Sequence, residues 1–137
     1  MTGGDPQSKT RDGISLFSPA DFAGMHKAGA LAARILDEIC DLVEPGQTTG
    51  VLNEAIEAKV NAADATSATI GYRGYQHASC ISVNHVVCHG IPSDKKLKDG
   101  DILNIDVTVI VDGWYGDTSR MFIAGKLDRK SERLIQV

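Results

Sequence analysis

Several features that would assign this chain to a special environment are missing from it. It has three cysteines, Cys40, Cys80 and Cys88. They form neither an even set for a disulfide framework nor a closely spaced zinc pair, so reduced thiols are expected. It has no long apolar run; even Leu103 to Val111 is broken by polar residues and falls far short of a bilayer span. It has no cationic surplus. A formal net charge of -4 is wrong for a phosphate-binding surface, and Lys95-Lys96 with Lys98 reads as a solvated loop. Met1 to Gly13 lacks the apolar core of a secretory signal and reads as a polar, frayed leader of a cytoplasmic protein. Low-complexity segments and internal repeats are also missing. What is left, 137 residues at 42% hydrophobic and 23% charged, has the composition of one ordinary folded domain, with neither nucleic acid nor membrane as partner.

Ser18-Pro19-Ala20-Asp21 predicts a helix start, with Ser18 as cap, Pro19 in the first turn and Asp21 completing a capping box. Phe22, Met25, Gly29, Ala32, Leu36, Ile39 and Val43 then recur at steps of three and four, which places one apolar stripe on a helix that Glu44-Pro45-Gly46 ends. A second helix is expected from about Thr48, burying Leu52, Ala55, Ile56 and Val60; between Ala62 and Thr69 the pattern fades. From Gly71 the texture is that of a sheet. Ile81-Ser82-Val83 and Val86-Val87-Cys88 predict short strands parted by Asn84-His85, and Lys98-Asp99-Gly100-Asp101 predicts a turn. Ile102 to Val111 and Trp114 to Ile123 are expected to be two strands closed by Asp112-Gly113, a dipeptide suited to a two-residue hairpin turn. After Gly125 a helix opens near Asp128 and meets no stop signal before Val137, so the chain reads as the first part of a longer protein. The class is α+β.

The hairpin carries the chemistry. With Asp112-Gly113 at the turn, Val111 faces Trp114, Thr108 faces Asp117 and Asp106 faces Ser119. Leu103, Ile105, Val107, Val109 and Val111 then share one face, while Asn104, Asp106 and Thr108 share the other. Asp117 projects on the same side as Asp106, at a diagonal Cβ separation of about 7 Å. Two carboxylates so placed either bind a compensating cation or lie on a solvated sheet face, and spacing alone does not separate these readings. Oxygen ligands suit magnesium, manganese, iron, cobalt or zinc, and Thr108 stands where its hydroxyl can orient Asp117. His89, followed by Gly90, is either a functional or a structural histidine. Tyr72, Tyr75 and Cys80 either line a small apolar pocket or belong to the core.

Taken in order, Gly71-Tyr72-Arg73-Gly74-Tyr75, Cys80-Ile81-Ser82-Val83-Asn84, Val86-Val87-Cys88-His89-Gly90-Ile91-Pro92, Asp99 to Val107 and Gly116-Asp117-Thr118-Ser119 resemble the type I methionine aminopeptidases of the pita-bread fold. The resemblance runs from about Ser15 to the end. It implies residues 1–14 as a leader and 15–137 as the amino-terminal part of one catalytic domain, about the first of its two pseudo-repeats. It implies two divalent metal ions (cobalt, manganese, iron or zinc), with Asp106 as the first aspartate ligand and Asp117 bridging both. It also implies that His89 contacts the substrate around the scissile amide, that Tyr72, Tyr75 and Cys80 wall the methionine pocket, and that the backbone at Asn84 and Val86 matches a monovalent-cation site.

The remaining family ligands, a histidine and two glutamates, are not in this chain, so the chain alone is expected to bind metal poorly and to have little activity. The implied reaction is removal of initiator methionine from nascent polypeptides, small second residues preferred. The implied protein is a monomer when full length, and association with the ribosome is compatible with that substrate. A proline-directed or creatinase-like relative and a metal-free binding module are the competing readings. Against them stand the short leader, the His89-Gly90-Ile91-Pro92 block and the retained aspartates.

Overall fold

A computed structural model describes residues 8–137. The first seven positions of the expected leader lie outside the described residues. In the rest of that leader, β1 (Ser8–Lys9) pairs antiparallel with β2 (Ser15–Leu16), which lies just past it, so the end of the leader is tied into a small hairpin where fraying was expected. Thr10 N–H donates to the Ile14 carbonyl (2.8 Å) and Gly13 N–H to the Thr10 carbonyl (3.0 Å), which closes the turn.

Helix α1 (Pro19–Glu38) starts as its sequence predicts. The Ser18 side chain accepts from Asp21 N–H, the Asp21 carboxylate accepts from Ser18 N–H at 2.6 Å, and Pro19 opens the first turn. Its buried face is Ala28, Leu31, Ala32, Ile35 and Leu36, which corrects the expected stripe: Phe22 and Met25 are 57% and 44% exposed. The reason lies in where the helix crosses the sheet. Its N-terminal part enters over the hairpin tip, Lys27 pairs with Asp112 there (2.6 Å), and Gly24 packs so closely on the Trp114 ring that a Cβ would collide with it. The first turns therefore bury no side chain against the sheet before Ala28. The α-helix also ends at Glu38, with a 3-10 turn over Cys40–Leu42 before Pro45.

Helix α2 (Thr49–Ala62) is capped by Thr48 and buries Leu52, Ile56 and Val60 as expected, but Ala55 is only half-buried and Asn53 is buried in its place. The fading segment after α2 holds a two-residue strand, β3 (Thr66–Ser67).

Three longer strands follow: β4 (Ser79–Val83), β5 (Asp101–Val111) and β6 (Trp114–Ala124). All pairings to β5 are antiparallel. β6 takes the whole of one edge, and β4 and β3 lie end to end along the other, opposite Leu103–Val107 and Val109–Ile110. Val86-Val87-Cys88 forms no strand. Val86 N–H turns back to the Val83 carbonyl (3.2 Å), and Val87 beyond it is 91% exposed, so the run has no ladder to join. Helix α3 (Arg129–Gln136) opens at Asp128, whose carboxylate accepts from the N–H groups of Lys130 and Ser131.

Leu103, Ile105, Val107 and Val109 have no measurable exposure and form the centre of one core with Leu31, Ile35 and Leu36 of α1 and Leu52 and Ile56 of α2. Helices α1 and α2 thus cover one face of the sheet. Gly116 on β6 admits the α1 backbone at Ala28 so closely that a Cβ would collide with that carbonyl. Among the described residues no helix is long and apolar enough to cross a membrane.

Candidate metal centre and substrate pocket

The uncovered face of the hairpin carries the candidate ligands. Asp112 and Gly113 both adopt positive φ (51° and 84°), the conformation of a type I′ turn. The register follows as the sequence predicts: Val111 opposite Trp114, Thr108 opposite Asp117 and Asp106 opposite Ser119. Thr108 Oγ1 donates to Asp117 Oδ1 at 3.0 Å, so the hydroxyl fixes one oxygen of that carboxylate. Asp106 is half-buried and Asp117 exposed.

Burial first, and then the Asp117 carboxylate beside it, push the Asp106 carboxyl above the ordinary aspartate range; the nearby His89 acts in the opposite direction. A carboxyl whose charge is disfavoured by burial and by a second carboxylate beside it forms a site that a divalent cation would relieve, so the donor set fits hard and borderline metals. Among the described residues no cluster of three or more His, Cys, Asp or Glu gathers at metal-binding spacing. The described residues therefore offer two carboxylates and no third ligand.

His89 is held beside them by strained backbone. It adopts φ +53°, a left-handed conformation that costs a side-chain-bearing residue energy and persists only where neighbours enforce it. The enforcement comes from Gly90. Its carbonyl accepts from Ile81 N–H (2.8 Å), its N–H donates to Ser82 Oγ (3.0 Å), and a Cβ on it would run into the Ile81 carbonyl. The glycine thus pins the loop to β4 and sets the direction of the residue before it.

Tyr75 supplies the next wall. Its hydroxyl donates to the Ser79 carbonyl (2.9 Å) and lies 3.5 Å from the Gly90 carbonyl. Ser79 is itself tied to α2, where Asn53 Oδ1 accepts from its N–H (3.1 Å) and its hydroxyl (2.9 Å). Burial raises the Tyr75 hydroxyl well above its ordinary pKa, so it stays a protonated donor, and burial likewise pushes the Cys80 thiol up and keeps it neutral and soft.

These elements enclose one cavity of about 760 Å³ lined by Tyr72, Tyr75, Cys80, His89, Asp106, Thr108 and Asp117, a size common for small-ligand sites. Every residue expected to hold divalent metal or substrate therefore lies on one cavity. Asn84 and Val86 do not; they sit in the turn after β4, where Asn84 Nδ2 donates to Asp101 Oδ1 (2.8 Å). The sequence reading passed over Arg73, which also lines the cavity, and Asn53, whose amide anchors it. Arg73 lay inside a block already singled out. Asn53 gave no signal, because its partner is 26 residues away.

Comparison with known proteins adds a second line. The pattern of the family described as metallopeptidase family M24 matches residues 23–137. A methionine aminopeptidase of Rickettsia prowazekii (strain Madrid E) is 52% identical over 124 residues, covering 90% of this chain and 48% of its own length. That of Escherichia coli (strain K12) is 53% identical over 126 residues, with the same shares. The crystal structure of methionine aminopeptidase from Rickettsia prowazekii superposes with a TM-score of 0.89, covering 90% of this chain and 50% of that one. Xaa-Pro dipeptidase from Bacillus anthracis, at 18% identity, superposes with a TM-score of 0.72 over 85% of this chain and 31% of that one, which shows the fold alone. The chain spans about half the length of the curated relatives it matches.

Proposed function

The chain belongs to metallopeptidase family M24 and shares its pita-bread fold, and from that premise we propose that its protein removes the initiator methionine from nascent polypeptides by metal-dependent hydrolysis of the first peptide bond. The observation that carries the reading is the single cavity in which a carboxylate pair, His89 and the Tyr72, Tyr75 and Cys80 wall meet.

In this reading Asp106 and Asp117 would be this chain's ligands to two divalent ions, drawn from cobalt, manganese, iron or zinc, and Thr108, which donates to Asp117 Oδ1, would orient that carboxylate. When bound, the ions supply Lewis acidity toward the peptide carbonyl and a water-derived nucleophile at neutral pH. His89 donates to the peptide as charge develops on it, an interaction that gains strength toward the transition state and so raises the rate more than it tightens ground-state binding. The neutral thiol of Cys80 and the rings of Tyr72 and Tyr75 take the thioether side chain, for which a polarizable, apolar wall is suited. A small second residue is preferred in this reading. Nascent chain N-termini are the substrates, and association with the ribosome, a monomeric full-length protein in the cytoplasm and a monovalent cation at the Asn84 and Val86 backbone belong to the same proposal.

In the full-length protein Asp117→Ala is expected to reduce release of methionine from a Met-Ala peptide to the metal-free background. Turnover like that of the wild type in this variant overturns the assignment.

A further inference from the structure

Arg73 has no part in the reading above, and its setting is unusual. It is the one lysine or arginine lining the cavity among the described residues, where the other fixed charges are Asp106 and Asp117. Its backbone is left-handed (φ 49°, ψ 33°), between Gly71 at φ 87° and Gly74 at φ 84°. Such a conformation is unfavourable for arginine, yet it is locked here. Gly71 N–H donates to the Tyr75 carbonyl (2.7 Å) and Tyr75 N–H to the Tyr72 carbonyl (3.0 Å), so the loop closes on itself around Arg73. The guanidinium then stands 5.5 Å from the centroid of the Tyr72 ring, within cation–π range. No carboxylate of the described residues lies within ion-pair distance of it. A strained backbone and an aromatic platform thus hold on the cavity wall a guanidinium that no carboxylate of the described residues pairs.

We propose that Arg73 is a specificity-determining residue that favours peptide substrates with an acidic side chain downstream of the cleaved bond. This rests on the methionine-releasing reading. In that reading a peptide in the cavity presents its cationic amino end toward the carboxylate pair and its methionine side chain toward Tyr72, Tyr75 and Cys80. The residues that follow must leave the cavity past its wall, where the one fixed positive charge among the described residues is the Arg73 guanidinium. A guanidinium offers a planar, paired set of donors to a carboxylate. Because Arg73 is solvent-exposed, the attraction is modest and screened by salt. Its effect is selection among peptides, while the chemistry at the carboxylates stays the same.

The test compares three amide-blocked peptides, Met-Ala-Asp, Met-Ala-Ser and Met-Ala-Lys, with the full-length metal-loaded protein, reading kcat and KM separately. Blocking the carboxyl terminus leaves the third side chain as the only variable charge. The expected result is a kcat/KM for the aspartate peptide about two- to five-fold above that for the lysine peptide, carried by KM and shrinking as salt is raised. In Arg73→Gln the ratio falls to about one, and in Arg73→Glu it inverts, whatever happens to the absolute rates. An unchanged ratio in both variants overturns the proposal, as does a wild-type ratio near one at low salt; the latter needs no variant to fold. Failure to release methionine from any of the three peptides overturns the parent reading instead, so the two failures are distinct.

Discussion

On the inner face of β5, Leu103, Ile105, Val107 and Val109 are fully buried beneath the helices, while one residue over, on the outer face, Asp106 is half-buried and Thr108 holds the exposed Asp117. The two faces share a backbone and differ in what they do with it. Each fully buried branched side chain contributes about 1.5–3 kcal/mol, and a two-residue period forces the intervening side chains to the opposite side. The inner face therefore fixes register and pleat, and the outer face inherits positions it could not have secured for itself, since neighbouring carboxylates repel. Repulsion between partly solvated groups is screened and smaller than the burial beneath them, so the strand tolerates it. A scaffold face and a chemical face can thus be changed separately.

The largest effect on folding should come from the scaffold face. Ile105→Ala removes a side chain with no exposed surface from the centre of the core, and a loss of about 2–5 kcal/mol of stability is expected, read by denaturant unfolding of the full-length protein. Asp117→Ala, in the same measurement without metal, should leave stability unchanged or raise it, because it removes a charge that disfavours Asp106. If Asp117→Ala unfolds as readily as Ile105→Ala, the separation of the two faces fails.

A smaller effect sharpens the chemical face. Thr108→Val keeps the shape and strand preference of the side chain and deletes the hydroxyl that donates to Asp117 Oδ1. Loss of a hydrogen bond that orients a metal ligand typically costs about 10–100-fold in metal affinity or activity, so metal titration calorimetry of the full-length variant should show weaker binding with little change in unfolding. Unaltered affinity would mean that Asp117 needs no orienting partner.

The same division explains what could be read from the sequence. The hairpin register was legible to the residue, because Asp112-Gly113 dictates the turn and the strict alternation of apolar residues from Leu103 to Val111 allows one pleat. The start of α1 was legible for a similar reason, since Ser18 and Asp21 complete each other locally. Phe22 and Met25 misled because periodicity marks a stripe without saying which turns of it meet a sheet. Val86-Val87-Cys88 has the composition of a strand, but a strand also needs a partner, and the Val83–Val86 turn turns the chain away from β4. Alternation placed the carboxylates together. Tyr72, Tyr75 and His89 reach the same cavity by loop paths that no spacing rule describes; residue chemistry suggested a Tyr72, Tyr75 and Cys80 pocket without deciding it, and only the family resemblance joined that pocket and His89 to the carboxylates.

The smallest effect concerns the helical layer that presses on the inner face. Glu38, at the last turn of α1, pairs with Lys59 of α2 (2.8 Å) and more loosely with Arg34 (3.7 Å). The hydrogen bond from Lys59, with the charges of Lys59 and Arg34 adding to it, holds the Glu38 carboxyl below its ordinary value. A carboxylate whose folded pKa is lowered contributes stability that is fully present above its unfolded pKa and is lost as pH falls through the folded one. The pair should therefore help to join α1 to α2 at neutral pH and cease to do so in acid. Glu38→Gln is expected to be slightly less stable than the wild type at pH 7, with the difference closing toward pH 3 and shrinking in high salt at pH 7, since the groups are solvent-accessible. Parallel denaturant curves at the two pH values read it. A difference that persists undiminished at pH 3 would show that Glu38 acts through packing, and that charge has no part in holding the helices over the scaffold face.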